Sequence, residues 1–198
     1  MDAVDLQIIR ELQADGRLSN QDLADRVRLS PSPCLRRVRR LEEAGLIRGY
    51  TAVVDQVSFG LPITVFVRIR LERHTAEAVA LFEEHVAVIE HIQDCYLMAG
   101  SSDYLLRVVI EDLEAYESLV RHRIHAIPGI ASIESSFAYG SVEEHVAVIE
   151  HIQDCYLMAG SSDYLLRVVI EDLEAYESLV RHRIHAIPGI ASIESSFA

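Results

Sequence analysis

Lysine is missing from these 198 residues, so all 18 basic side chains are arginine. That bias fits a GC-rich coding sequence and decides nothing about function. Cysteine is scarce. Cys34, Cys95 and Cys155 show no CxxC spacing, which argues against a disulfide framework and a zinc site and leaves all three expected as small core residues. No run of 18 or more apolar residues occurs, and the first 20 residues are acidic and amphipathic rather than basic then apolar. Neither a membrane span nor secretion is expected, and the cytoplasm is the default compartment. Also absent are a nucleophile elbow, a phosphate loop and a zinc-protease motif, so the expectation is a protein that is not an enzyme, with no catalytic residue, metal ligand or cofactor. His122 and His125 stand three apart on one predicted helix, but no partner with ligand spacing accompanies them, and they are expected at a surface or interface.

What is present is unevenly charged. The net charge is −13, yet residues 1–50 carry nine Arg against eight Asp or Glu, while residues 51–198 carry nine against 23. The acidity belongs to the rest of the chain, and an anionic partner for the N-terminal part stays open. Half of all residues are hydrophobic, enough for one or two domains with cores.

The chain also repeats itself. Residues 83–138 and 143–198 are the same 56 residues shifted by 60, without one substitution. Solenoid repeats diverge and recur about three times or more, because each unit needs stacked neighbours. A single perfect recurrence reads instead as one in-frame tandem duplication.

Three short helices are expected first. Leu6, Ile9 and Leu12 share helical spacing ahead of Gly16; Ser19 followed by Asp22 opens a second helix bearing Leu23, Ala24 and Val27; and PSPCLRRVRRLEEAG runs from Pro31 to a stop at Gly45. On the third, Cys34, Val38 and Leu41 fall in a narrow arc, Ser32, Arg36, Arg39, Arg40 and Glu43 lie opposite, and Arg37 sits between. Two readings of that arginine face are open: an ordinary solvated surface, or a helix-turn-helix whose last helix enters the major groove. LIRGYTAVV (46–54) then reads as a strand, a wing or interdomain element, and Gly60 and Pro62 mark a linker.

From ITVFVRIRLE onward the order is βαββαβ, the ferredoxin-like pattern, with strands side by side as 4-1-3-2 and both helices on one face. The first strand alternates and should have one drier face. AGSSD joins the second and third strands as a hairpin, and Ile127-Pro128-Gly129 ends the last helix. The expected organisation is α+β: a helix-turn-helix domain at 1–52, a linker at 53–62, a ferredoxin-like domain at 63–142, and an incomplete second copy at 143–198. That copy lacks a first strand, so it cannot close its own sheet. Local continuity favours the first copy for the shared strand, and the leftover copy should expose strand edges and apolar faces unless another chain covers them.

The stretches DLQIIRELQADGRLSNQDLADRV, LSPSPCLRRVRRLEEAGLIRGYTAVVD, IQDCYLMAGSSDYLLRVVIEDLEAYESLV and IPGI, in that order and spacing, resemble the leucine-responsive and asparagine-responsive bacterial transcription regulators, the Lrp/AsnC or feast/famine family. The resemblance covers residues 1–138. It implies a nucleoid-associated, sequence-specific regulator of transcription that binds double-stranded DNA through its N-terminal domain. It also implies a C-terminal domain that responds to a free amino acid, dimerises and builds higher oligomers, often octamers. Carried over by position, Ser30, Ser32, Pro33, Arg36, Arg37 and Arg40 form the recognition helix and its start, and the G-x-x-D-Y loop falls on Gly100, Asp103 and Tyr104, with Ser101 beside them.

Elementary chemistry fits these roles. Ser30 and Ser32, with the N-terminal amides of the third helix, suit phosphate oxygens. Arg36 is best placed for base edges; Arg37, nearer the apolar arc, either anchors a phosphate or pairs with an acid of its own domain. Backbone amides near Gly100 and Ser101 suit an amino-acid carboxylate and Asp103 its ammonium, although Gly-Ser-Ser-Asp is also ordinary hairpin chemistry. One working loop per chain is expected, with Gly160 and Asp163 its idle echo. The competing function is an architectural, DNA-compacting protein without an effector.

Overall fold

The computed structural model describes residues 1–141, 151–160 and 162–198. The chain divides into two compact units, Met1–Val54 and Asp55–Ala198. The expected boundary between 142 and 143, and the second copy's first eight residues, lie outside the described residues.

The first unit is three helices. α1 (Ala3–Ala14) begins with a reciprocal capping box, in which Asp2 accepts from the Asp5 amide and Asp5 accepts from the Asp2 amide. α2 (Asn20–Arg26) is capped by Ser19, whose hydroxyl accepts from the Asp22 amide. α3 (Pro31–Glu43) starts after Ser30 with proline in its first turn. Between α2 and α3 the chain reverses through Arg28, at φ 55°, and the Leu29 amide bonds back to the Ala24 carbonyl. Ile8, Leu23, Ala24, Val27, Cys34, Val38 and Leu41 form the core. The buried face of α1 therefore runs through Asp5 and Ile8, whereas Leu6, expected inside, is exposed. A second departure concerns residues 46–54, which form no strand.

The second unit opens with a turn inside the stretch expected as a linker. Asp55 accepts from the Ser58 amide, the Leu61 amide reaches the Gln56 carbonyl, and the Gln56 side chain bonds Thr64. Then follow β1 (Ile63–Leu71), α4 (Ala76–Ala87), β2 (Ile92–Leu97), β3 (Tyr104–Ile110), α5 (Leu113–Leu119) with a π-helical turn over Val120–Ile124, and β4 (Ile130–Ser141). β1 is central, antiparallel to β3 on one side and to β4 on the other, so the first copy holds the shared strand. Val65, Val67 and Ile69 of β1 and Tyr104, Leu106 and Val108 of β3 face Phe82 and Val86 of α4 and Tyr116 and Leu119 of α5. This face is the main core. β1 is not dry on one face only, because Thr64 and Phe66 of the opposite face are buried as well.

The second copy supplies β5 (Ile152–Met158), β6 (Tyr164–Val168) and α6 (Leu173–Leu179) with a π-helical turn over Val180–Ile184. It does not hang free. β5 pairs antiparallel with β4, giving one six-stranded sheet in the order β2-β3-β1-β4-β5-β6. The inner edge expected to be exposed is thus covered within the chain. The missing first strand is still felt: Tyr104 is 1% exposed beside β1, whereas its duplicate Tyr164 is 57% exposed. Cysteine follows the same logic in part, since Cys34 and Cys155 are buried while Cys95, expected in the core, is exposed on edge strand β2.

Candidate nucleic-acid interface and ligand loop

α3 sorts its arginines into two classes. The Arg37 guanidinium donates to Asp2 at 2.8 Å and to Asp5 at 2.7 Å, and Arg40 donates to the other Asp5 oxygen at 2.6 Å. Asp5 is only 1% exposed. Its carboxyl is held below the ordinary carboxylate range, chiefly because the Asp2 amide donates to it and further because Arg37 and Arg40 lie against it. Arg36 and Arg39 are exposed and, among the described residues, make no ion pair or side-chain hydrogen bond. Their charge faces outward, uncompensated.

The start of α3 is equally selective. Ser30 stands at the N-cap with its hydroxyl unused for capping, and Ser32 is exposed. Pro31 and Pro33 carry no N–H, so among the first three helical positions only Ser32 offers an amide to an anion. Pro33 is half-buried and shapes the turn. The Asn20 side chain donates to the Pro31 carbonyl at 2.9 Å, tying α2 to the start of α3. Ser30, Ser32 and Arg36 therefore share an exposed region, while Arg37 and Arg40 are drawn back toward α1. Asp2, Asp5 and Asn20 were not expected from the sequence to position this helix. A signal for Asp5 existed, since an acid at i on the arc of Ile8, Ile9 and Leu12 requires a buried partner.

The β2–β3 hairpin is closed by the Met98 amide bonding the Asp103 carbonyl at 2.8 Å, with Gly100 at φ +143°. Asp103 turns inward. One carboxylate oxygen accepts from the Leu71 amide at 2.7 Å, and the other lies 3.4 Å from His74 Nδ1, so the loop is pinned to the end of β1. The Tyr104 hydroxyl donates to Glu83 at 2.9 Å, and its ring packs on Phe82. Burial and the Glu83 carboxylate push this phenol far above its ordinary range. Gly100 and Ser101 remain at the surface, so Tyr104 supports the loop from inside the core instead of lining it. In the second copy the Met158 amide still bonds the Asp163 carbonyl, and Gly160 keeps a positive φ of 125°. Among the described residues no strand lies there to pin Asp163, which is exposed. Among the described residues no three His, Cys, Asp or Glu side chains gather as a metal site, and no helix is long and apolar enough to cross a membrane.

Comparison with known proteins follows the same division. A family model described as winged helix-turn-helix DNA-binding matches residues 1–48, and the Lrp/AsnC ligand binding domain matches twice, at 64–145 and 138–198. The Bkd operon transcriptional regulator of Pseudomonas aeruginosa is 46% identical over 142 residues, covering 72% of this chain and 93% of that protein. The leucine-responsive regulatory protein of Escherichia coli is 43% identical over 130 residues, covering 66% and 79%. Among solved structures, a transcriptional regulator of Neisseria meningitidis in complex with L-Met superposes with a TM-score of 0.69 at 34% identity, covering 72% of this chain and 92% of that one. An AsnC family regulator of Agrobacterium tumefaciens gives 0.69 at 40% identity over the same shares.

Proposed function

The chain belongs to the Lrp/AsnC family of transcriptional regulators, and from that membership we propose how it engages DNA and its effector. Its first unit is the DNA-binding part and its second an amino-acid ligand-binding domain. Arg36 reads base edges in the major groove, and Ser30 and Ser32 hold phosphate oxygens that set the register. Arg39 adds a phosphate contact. Arg40 contributes charge while held by Asp5, and Arg37 is a positioning residue that fixes α3 on α1. The observation that carries this division is the pairing of Arg37 and Arg40 with Asp5, which leaves Arg36 and Arg39 as the outward charges. A DNA target places the protein on the nucleoid, in the cytoplasm.

The effector is a free amino acid received at the Gly100–Ser101 turn, where backbone amides meet its carboxylate. The names of the relatives support an aliphatic or thioether side chain, since one is called leucine-responsive and another was crystallised with L-Met. Asp103 and Tyr104 serve this turn from behind by pinning it to β1 and α4.

Fluorescence anisotropy on an operator fragment, with calorimetry against the twenty amino acids, tests both halves. Arg36→Ala is expected to weaken specific binding by about 1–3 kcal/mol, roughly five- to 150-fold, and to relax preference at one base pair. Arg37→Ala should lower the melting temperature of the helical unit more than it lowers affinity. Unchanged affinity for Arg36→Ala would remove that residue from the interface. Heat from an aliphatic amino acid is expected at millimolar concentration or below, and silence across all twenty would favour the architectural reading.

A further inference from the structure

The second copy makes its contacts with the first in a reciprocal way. The Ala159 amide donates to the Phe137 carbonyl at 2.7 Å, and the Ala99 amide donates to the Phe197 carbonyl at 2.8 Å. Adding 60 to 99 gives 159, and adding 60 to 137 gives 197. These two bonds are therefore one contact made twice with the copies exchanged. Such an exchange is the mark of an isologous, two-fold interface, in which residue i of one body meets j of the other and j meets i. Two unlike surfaces brought together by the tether alone would make one bond without its mirror image.

The same exchange extends across the sheet face turned away from α4 and α5. Phe66 of β1 lies there, only 6% exposed, with the Tyr156 ring of the second copy 4.8 Å away at 67°. On that face Arg107 pairs with Asp94 at 2.5 Å, and Arg167 pairs with Asp154. The two ion pairs act crosswise. Tyr96 lies in the field of Arg167 and Asp154, and Tyr156 lies in the field of Arg107 and Asp94. Adding 60 again exchanges every partner. The symmetry is partial among the described residues: Phe66 has no counterpart, because the second copy has no first strand, and the β4–β5 pairs Gly140–Leu157 and Ser141–Tyr156 have no mirror image at the end of β2, where one bridge joins Ala99 to Phe197.

We propose that the outer edge of β4, the end of β2 and the face bearing Phe66 form the seat for a second copy of this ligand-binding domain, and that residues 152–198 fill this seat from within the same chain. The repeat is then a built-in partial partner. A tethered occupant competes at an effective concentration on the order of millimolar, so at micromolar protein it excludes a copy from another chain even though it lacks one strand. The full chain is thereby monomeric through this surface and carries one DNA-binding unit. A chain ending at Ser141, which retains β1–β4 with both helices, offers an empty seat and pairs with itself.

Sedimentation velocity from about 1 to 100 μM tests this on the full chain and on residues 1–141, with circular dichroism to verify that both fold. The full chain is expected to sediment as a 22.2 kDa monomer at every concentration, and the short chain as a dimer that Phe66→Asp returns to monomer. A full chain that dimerises and that Phe66→Asp returns to monomer, or a short chain that is monomeric throughout, would overturn the proposal. Hydrogen exchange provides a second measurement that is insensitive to association through other surfaces. Amides of residues 137–141 and 156–159 should be protected equally at all dilutions in the full chain. Protection that fades on dilution would show the seat to be filled between chains.

Discussion

Asp5 accepts from its own capping partner and from two arginines while almost wholly withdrawn from water. A carboxylate in that position is stable only because three donors replace its hydration, and the same bonds aim α3. Asp5→Asn keeps the shape and removes the charge, so Arg37 retains Asp2 alone and Arg40 is released. The expected cost to the helical unit is about 2 kcal/mol, read by thermal or urea unfolding. The pH dependence has a definite sign. The folded-state pKa of Asp5 lies below its ordinary value near 3.8, so its contribution is complete above that value and is lost as pH falls through it toward the lower folded pKa. The native unit should therefore lose stability below about pH 4, and Asp5→Asn should flatten part of that loss. An identical acid profile in the variant would show that the pairs contribute nothing. Arg36 was legible in the sequence because a helix face can be drawn from spacing alone. For Arg37 an acid of its own domain was one of two partners the spacing offered, but which acid, and the restraint on Arg40, were not legible, because Asp5 lies more than 30 positions away on another helix.

The eight residues from Asp103 to Ile110 recur from Asp163 to Ile170, which makes them an internal control on what an element owes to its neighbours. β3 has β1 on one side and β2 on the other, whereas β6 has only β5 among the described residues. Tyr104 is accordingly packed on Phe82 and bonded to Glu83, and Tyr164 is largely in water. Tyr104→Ala is expected to cost about 3–5 kcal/mol, as for other large aromatic side chains removed from a core, and Tyr164→Ala within about 0.5 kcal/mol of nothing. Equal losses in urea unfolding would mean that the second copy holds a core of its own. Alternation, capping residues and turn chemistry made the strands and helices of the first copy readable in order. The burial of Phe66 was unreadable, because its cover, Tyr156, lies 90 positions downstream and alternation cannot say what faces the second side of a sheet. Residues 46–54 failed for the opposite reason: a β-rich composition forms no ladder where no neighbouring strand is offered.

At the scale of the molecule, a filled seat changes what one chain can do on DNA. A dimer of helix-turn-helix chains presents two recognition helices to two half-sites, and its affinity for a pseudo-palindrome exceeds that for one half because the second contact is intramolecular. A chain that occupies its own seat presents one such helix. The full chain is therefore expected to bind a pseudo-palindrome and an isolated half-site with nearly the same affinity per half. The chain ending at Ser141 should prefer the palindrome by a factor on the order of 10². Salt provides an independent reading. Each neutralised phosphate contributes about 0.9 to the slope of log K against log salt, so the short chain on the palindrome should show close to twice the slope of the full chain. Equal slopes and equal palindrome preference would mean that two full chains still pair on DNA, through this seat or another. A doubled slope together with a monomeric full chain in sedimentation would tie the loss of the second half-site to the repeat. Arg36→Ala separates this effect from the chemistry of α3, because it should weaken both chains on both sites while leaving their ratio of palindrome to half-site affinity in the order set by assembly.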